Sequence, residues 1–139
     1  MKAPYTCLWF ENQALEAAEF YCSLFDNSKI ISQNGFMAQF ELNGQKYMTM
    51  NGGPKYKLSH AASIVVECET QAEIDQYWAK LTDGGEEGRC GWLTDKFGLS
   101  WQIIPSKLGS FFADPEKAGR VQEAFSKMNK IDIAILENC

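Results

Sequence analysis

CGWLTDKFGLSWQIIP, residues Cys90–Pro105, reads as two β-strands joined by a tight turn. Trp92 and Leu93 precede the turn sequence Asp95-Lys96-Phe97-Gly98. Ser100, Trp101, Gln102, Ile103 and Ile104 follow it, with the polar and apolar alternation of a half-buried hairpin. Asp95 stands where an aspartate side chain commonly closes the turn itself. Gln102 is a polar residue amid apolar neighbours.

The hairpin has a counterpart earlier in the chain. Gly44-Gln45-Lys46-Tyr47-Met48 parallels Gly98-Leu99-Ser100-Trp101-Gln102 at an offset of 54 residues, and Phe20-Tyr21-x-x-Leu24 parallels Tyr77-Trp78-x-x-Leu81 at an offset of 57. Duplication explains both matches economically. In the first half, YTCLWF (residues 5–10) reads as a short strand, and Asn12 is placed to cap a helix beginning near Gln13. Leu15, Ala18, Cys22 and Phe25 recur at helical spacing as its inner stripe, and Asp26-Asn27 stops it. Strands over Lys29–Gln33, Phe36–Leu42 and Gln45–Met50 follow, joined through Asn34-Gly35 and Asn43-Gly44, dipeptides suited to the positive φ of hairpin turns.

The order then begins again. After a loop over residues 51–60, the β-branched run Ala62–Cys68 suits a buried strand. Thr70-Gln71-Ala72-Glu73 is a capping box for a second helix whose inner stripe is Ile74, Tyr77, Trp78 and Leu81. Glu67 and Glu69 border the strand end and are assigned structural roles, as is Asp95. Gly84–Gly88 is too rich in glycine to serve as a strand, which leaves the second half one strand short. Asp114-Pro115-Glu116 starts a third helix with Ala118, Val121, Phe125 and Met128 on its inner face. Beyond it, Ile131, Ile133 and Ile135 alternate, so Lys130–Leu136 is expected to add a strand to a sheet edge in this subunit or a partner's.

Composition narrows the function classes. The chain has 139 residues, enough for one domain burying roughly 68% of the surface its unfolded form exposes. Its 13 basic and 18 acidic residues leave a net charge of -5, the wrong sign for a phosphate-backbone binder, so nucleic acid is excluded as the expected partner. The five cysteines, Cys7, Cys22, Cys68, Cys90 and Cys139, form no CxxC pair, which suggests neither a disulfide framework nor a zinc knuckle and fits a reducing cytoplasm. No segment approaches the roughly 20 apolar residues of a membrane span, and the N-terminus has no secretory core.

Two strand-helix-strand-strand-strand modules with these hairpins resemble the vicinal oxygen chelate superfamily, which includes glyoxalase I, extradiol dioxygenases and bleomycin-binding proteins. The chain is most similar to its PhnB-like branch. The matching segments are Glu19-Phe20-Tyr21, Leu24-Phe25, Asn27-Ser28, Phe40 to Gln45, Met48 to Pro54, Gln71 to Trp78, Cys90 to Pro105 and the tail from Met128 to Leu136. The resemblance implies an α+β fold of two βαβββ modules forming a curled open barrel, with a C-terminal helix and strand. It places module one at about residues 1–53, module two at about 60–105 and an extension at 106–139 of a single domain, and it implies a homodimer. Such proteins are often labelled 3-demethylubiquinone-9 3-methyltransferase. The expected signature of that chemistry, a glycine-rich strand-to-helix turn followed by an acidic ribose contact, is missing: Gly52-Gly53-Pro54 precedes no predicted helix, and Gly84-Gly85 lies after one.

In the resembled metalloenzymes a divalent ion is held by the first and last strands of both modules. Projected through the repeat, those positions fall near Thr6 and Met48, and near Ala61 or Ser63 and Gln102, a set poor in the imidazole, thiolate and carboxylate donors such ions need. His60 is the one histidine and would lack a strong partner; Cys7 and Cys90 are the remaining soft ligands or nucleophiles, and either would need His60 within hydrogen-bond reach to act as a pair. The residues at these positions therefore lead to the expectation of no metal cofactor. The resemblance implies a small-molecule ligand held by Thr6, Trp9, Met48, Asn51, Trp101 and Gln102, with Gln102 at the floor; Trp9, Trp92 and Trp101 suit either core packing or stacking on a planar ligand, and Trp9 and Trp101 are the candidate cavity walls. The alternative is an enzyme of glyoxalase or dioxygenase type that uses an unrecognised metal site or a cysteine nucleophile.

Overall fold

The computed structural model describes all 139 residues. Their contacts divide the chain into two compact units, Met1–Leu58 and Ser59–Cys139. Each is built as βαβββ around its own four-stranded mixed sheet.

The first unit runs β1 (Thr6–Phe10), α1 (Ala14–Leu24), β2 (Lys29–Gln33), β3 (Met37–Leu42) and β4 (Gln45–Asn51), with strand order β1-β4-β3-β2. β1 lies parallel to β4, which runs in the direction of β2 after two hairpin reversals, and the hairpin-linked strands are antiparallel. Leu8, Phe10, Ala38, Phe40 and Leu42 alternate along their strands and bury one face of the sheet with Ala14, Ala17, Ala18, Tyr21 and Leu24 of α1. The inner stripe of α1 is thus turned by about one residue from the expected one, leaving Leu15, Cys22 and Phe25 only half-buried. Small alanines win because they let the helix approach the sheet closely while Tyr21, fully enclosed, supplies the volume.

The start of α1 corrects another expectation. Asn12 does not cap it; the Asn51 side chain at the end of β4 does, its Oδ1 accepting from the Ala14 amide at 2.8 Å. The neighbouring Thr49 hydroxyl donates to the Ala14 carbonyl at 2.8 Å. A tertiary cap replaces the local one because β4 runs directly beneath the first turn. Of the two expected positive-φ turns, Asn43-Gly44 is one, with φ of 48° and 85°. Asn34-Gly35 is not: the Asn34 Oδ1 accepts from the amides of Phe36 and Met37, and this side-chain turn closes the longer connection.

The second unit runs β5 (Ser63–Cys68), α2 (Gln71–Thr82), β6 (Glu86–Glu87), β7 (Trp92–Thr94), β8 (Ser100–Pro105), α3 (Leu108–Phe111), α4 (Pro115–Lys127) and α5 (Ile133–Glu137), with strand order β5-β8-β7-β6. Thr70 caps α2 through its Oγ1, which accepts from the Glu73 amide at 3.2 Å, and Ile74, Trp78 and Leu81 are buried. They pack on the face formed by Leu93, Trp101, Ile103, Pro105 and Cys68. β5 is not the fully buried strand its β-branched run suggested. It is an edge strand, paired on one side only, and Val65 is 48% exposed.

The second module is not a strand short. Glu86–Glu87 pairs antiparallel with Thr94 and Leu93 as β6, a two-residue strand that Gly84, Gly85 and Gly88 bracket. Gly84 has φ 77°, and a Cβ on Gly85 would lie 2.1 Å from the Thr94 carbonyl oxygen, so the glycines permit the close approach of this strand rather than forbid it.

The tail accordingly has no gap to fill. Residues 130–136 do not form the expected edge strand; Ile133–Glu137 is helix, capped by Asp132, whose side chain accepts from the Ile135 amide. Ile131 and Ile133 are buried, then Leu136, while Ile135 is 50% exposed, so the alternation breaks after one step. The Gln71 side chain decides the geometry. Its Nε2 donates to the Ile131 carbonyl at 2.9 Å and its Oε1 accepts from the Ile133 amide at 2.9 Å, pairing as a strand would while occupying only one residue's width. The Cys90 and Gly91 amides donate to the Met128 and Asn129 carbonyls, and Lys130 pairs with Asp75 at 2.8 Å.

Candidate functional site

Each sheet has one face packed on its helix and one turned away from it. Strand alternation and register assign side chains to the two faces. In the first unit, Cys7 pairs with Met48 and Trp9 with Met50 across the parallel ladder, and Met37 and Gln39 continue these rows on β3. This open face is apolar and rich in sulfur. Tyr5 extends it, its hydroxyl accepting from Gln39 Nε2 at 3.3 Å and its ring lying under the Lys46 ammonium. The loop after β4 folds over Trp9. The indole Nε1 donates to the Gly53 carbonyl at 3.0 Å, Tyr56 meets the ring edge-on at 5.1 Å, and a Cβ on Gly52 would fall 2.2 Å from the indole.

The open face of the second unit is more polar. Ser63, Ser100, Thr94 and Glu86 form one row across its four strands, Val65, Gln102 and Trp92 form the next, and Glu67 and Ile104 the third. Gln102 Nε2 donates to Ser63 Oγ at 3.0 Å. His60, just before β5, lies against this face: its Nδ1 is 2.8 Å from Ser100 Oγ, and its ring meets Trp92 edge-on at 6.1 Å.

Of the six residues expected to hold a ligand, Trp9 and Met48 lie on the open face of the first unit and Gln102 on that of the second. The other three occupy different places. Thr6 shares the alternation of Leu8 and Phe10 and so points to the helix side of β1. Asn51 caps α1. Trp101 is 0% exposed, and its indole donates to Asp95 Oδ2 at 2.8 Å, which makes it core. Asp95 indeed closes the hairpin turn, its Oδ1 accepting from the Phe97 and Leu99 amides at 2.9 and 3.0 Å. Ser100 was not singled out from sequence, and Ser63 and Trp92 were named only as a projected metal position and a hairpin tryptophan; the signal of Ser100 and Trp92, a polar or aromatic residue at every second position beside Gln102, was present in the hairpin.

Register also revises the projected metal positions. The residues that face Met48 and Gln102 from the first strands are Cys7 and Val65, 58 residues apart, rather than Thr6 and Ser63. Neither the thiol and thioether paired in the first unit nor the isopropyl group and amide paired in the second fit a hard divalent ion, and the chain has no group of three or more His, Cys, Asp or Glu residues arranged to hold a metal.

Nucleophilic chemistry finds little support either. Desolvation pushes the Cys7 thiol above its ordinary value, which disfavours the thiolate. The Cys90 thiol donates to the Phe125 carbonyl at 3.5 Å, and its φ of 60° serves the turn that receives the tail. His60 has Ser100 rather than a cysteine as its partner. Ser100 is 1% exposed, so this serine–imidazole pair offers no attacking oxygen to a substrate. No glycine-rich cofactor turn emerges: Gly52-Gly53-Pro54 leads into loop, and Gly84 ends α2.

The model of the 3-demethylubiquinone-9 3-methyltransferase family matches residues 2–104. The PhnB protein from Bacillus cereus is 35% identical over 74% of this chain and 99% of its own, with a TM-score of 0.68. A glyoxalase-related enzyme from Fulvimarina pelagi (14% identity, 75% of this chain and 88% of its own, TM-score 0.53) and the fosfomycin resistance protein FosX from Listeria monocytogenes, solved with Mn(II) and sulfate (14%, 79% and 97%, 0.59), share the fold. None of the curated proteins matches the chain. No helix is long and apolar enough to cross a membrane. Paired βαβββ units, the matched family model and the Bacillus relative together place this chain in the 3-demethylubiquinone-9 3-methyltransferase family, as a PhnB-like member of the vicinal oxygen chelate superfamily.

Proposed function

We propose that the chain is a metal-free small-molecule binding protein whose ligand lies on the open face of the Ser59–Cys139 sheet. The observation that carries this reading is the side-chain set on that face: Gln102 held by Ser63, and His60 held by Ser100 against Trp92. Hydrogen-bonding groups of fixed orientation sit beside an aromatic surface, without a pair of metal-ligating side chains in register. Trp9 and Met48 give the first unit's open face a separate apolar surface of the adaptable kind that thioethers provide. A small molecule and a second copy of the chain are the expected partners.

Two measurements test the reading. Protein incubated with nickel, zinc, manganese and iron and then desalted is expected to retain well under one metal per chain by elemental analysis. Stoichiometric metal overturns the reading. Amide spectra recorded during titration with neutral planar aromatics should move at residues 60–65, 92–94 and 100–104, and shifts confined elsewhere count against it. Gln102→Glu introduces one carboxylate opposite the apolar Val65 and should raise metal affinity by less than about tenfold.

A further inference from the structure

We infer that the ligand of this face carries an oxygen acceptor, a carboxylate or carbonyl, read by hydrogen-bond donors of His60, Ser63 and Gln102. This deepens the binding reading above and rests on it. The argument counts protons. The Ser100 hydroxyl is almost wholly buried and has His60 Nδ1, 2.8 Å away, as its partner. If Nδ1 bore the imidazole proton, the hydroxyl hydrogen would be buried with no acceptor, a costly arrangement in an interior where every other buried side-chain polar atom is also satisfied. The hydroxyl therefore donates to Nδ1, and neutral His60 carries its proton on Nε2.

His60 itself is exposed, so that N–H is open to a ligand. Ser63 Oγ accepts from Gln102 Nε2, which leaves the serine proton free to donate, and the Gln102 amide keeps a second N–H. Three donors thus lie along the β5–β8 side of this face, His60 against the Trp92 ring, Gln102 paired with Trp92 and Ser63 beyond it, against two acceptors, Gln102 Oε1 and the remaining lone pair of Ser63 Oγ. The carboxylate of the same face on β5, Glu67, stands four residues from Ser63, about 13 Å along the strand, and two residues from Val65, the partner of Gln102. Glu86 lies at the far strand of the row.

Benzoate, benzamide and benzamidine have nearly the same shape and present acceptors only, both kinds of group, and donors only. The chain's net charge of -5 favours benzamidine at long range, so a preference for benzoate must come from local donors. In amide-detected titrations, benzoate and benzamide are expected to bind at the Ser63–Gln102–Trp92 face at least about tenfold more tightly than benzamidine. His60→Phe keeps an aromatic ring against Trp92 and removes the donor; it should weaken benzoate about fivefold or more and leave benzamidine within about twofold. Ser63→Ala should act in the same direction. If benzamidine binds this face as well as benzoate, or if His60→Phe changes nothing, the inference is wrong while small-molecule binding stands. If none of the three probes perturbs the face, the binding reading falls with it.

Discussion

Asp95 shows what a single buried side chain does here. Its carboxylate gathers two turn amides and the Trp101 indole N–H, so removing it leaves three donors without an acceptor near the core. Asp95→Ala is expected to cost about 3 kcal/mol in urea unfolding, and Asp95→Asn less, since one oxygen remains. A loss below about 1 kcal/mol for the alanine variant would mean that water replaces the carboxylate. Cys68 acts through its proton. Burial foremost, with the Glu73 and Glu69 charges behind it, pushes its thiol up to about 11 from an ordinary 9.0. Below the ordinary value the thiol is neutral in both states and the fold keeps its full stability. As pH rises from there through the folded value, the unfolded chain sheds its proton first and stability is lost. Thermal unfolding between about pH 8 and 11 should therefore fall more steeply for the native chain than for Cys68→Ala. Parallel curves would show that other groups account for the loss.

At the scale of elements, the C-terminal segment is held by side-chain and loop hydrogen bonds rather than by a strand ladder. Gln71 contributes two of them, from the first turn of α2. Gln71→Ala should raise amide exchange at residues 131–137 by about tenfold or more while leaving β7 and β8 protected. Equal acceleration throughout the unit would show that the tail and sheet open together. This arrangement was hidden from the isoleucine spacing at 131, 133 and 135, because one step of alternation is common to an extended approach and a strand. The side chain that ended it lies 60 residues away. The helix caps divide in the same way. Thr70 and Asp114 cap by contacts within three residues and were legible, whereas the cap of α1 came from Asn51 across the sheet.

At the scale of the whole chain, the two compact units meet in sequence between Leu58 and Ser59, within a loop that bears exposed Lys55 and Lys57. Limited trypsin digestion should cut first after these lysines, giving two fragments that divide the modules. A first cut in α4, at Lys117 or Arg120, would show that helix to be the less protected element.

Periodicity and turn chemistry in the sequence itself determined the βαβββ order of the first module, the strand, helix and hairpin of its repeat, the Asn43-Gly44 hairpin, the Thr70 cap and the Asp95 turn, because each depends on residues a few positions apart. Only the tertiary structure decided which side of each strand faces outward. A slip of one residue exchanges the faces and separates Cys7 from Thr6 opposite Met48, while a shift of two residues along one face separates Val65 from Ser63 opposite Gln102. The partnership of His60 with Ser100, 40 residues apart, likewise depends on register and packing that no local pattern records.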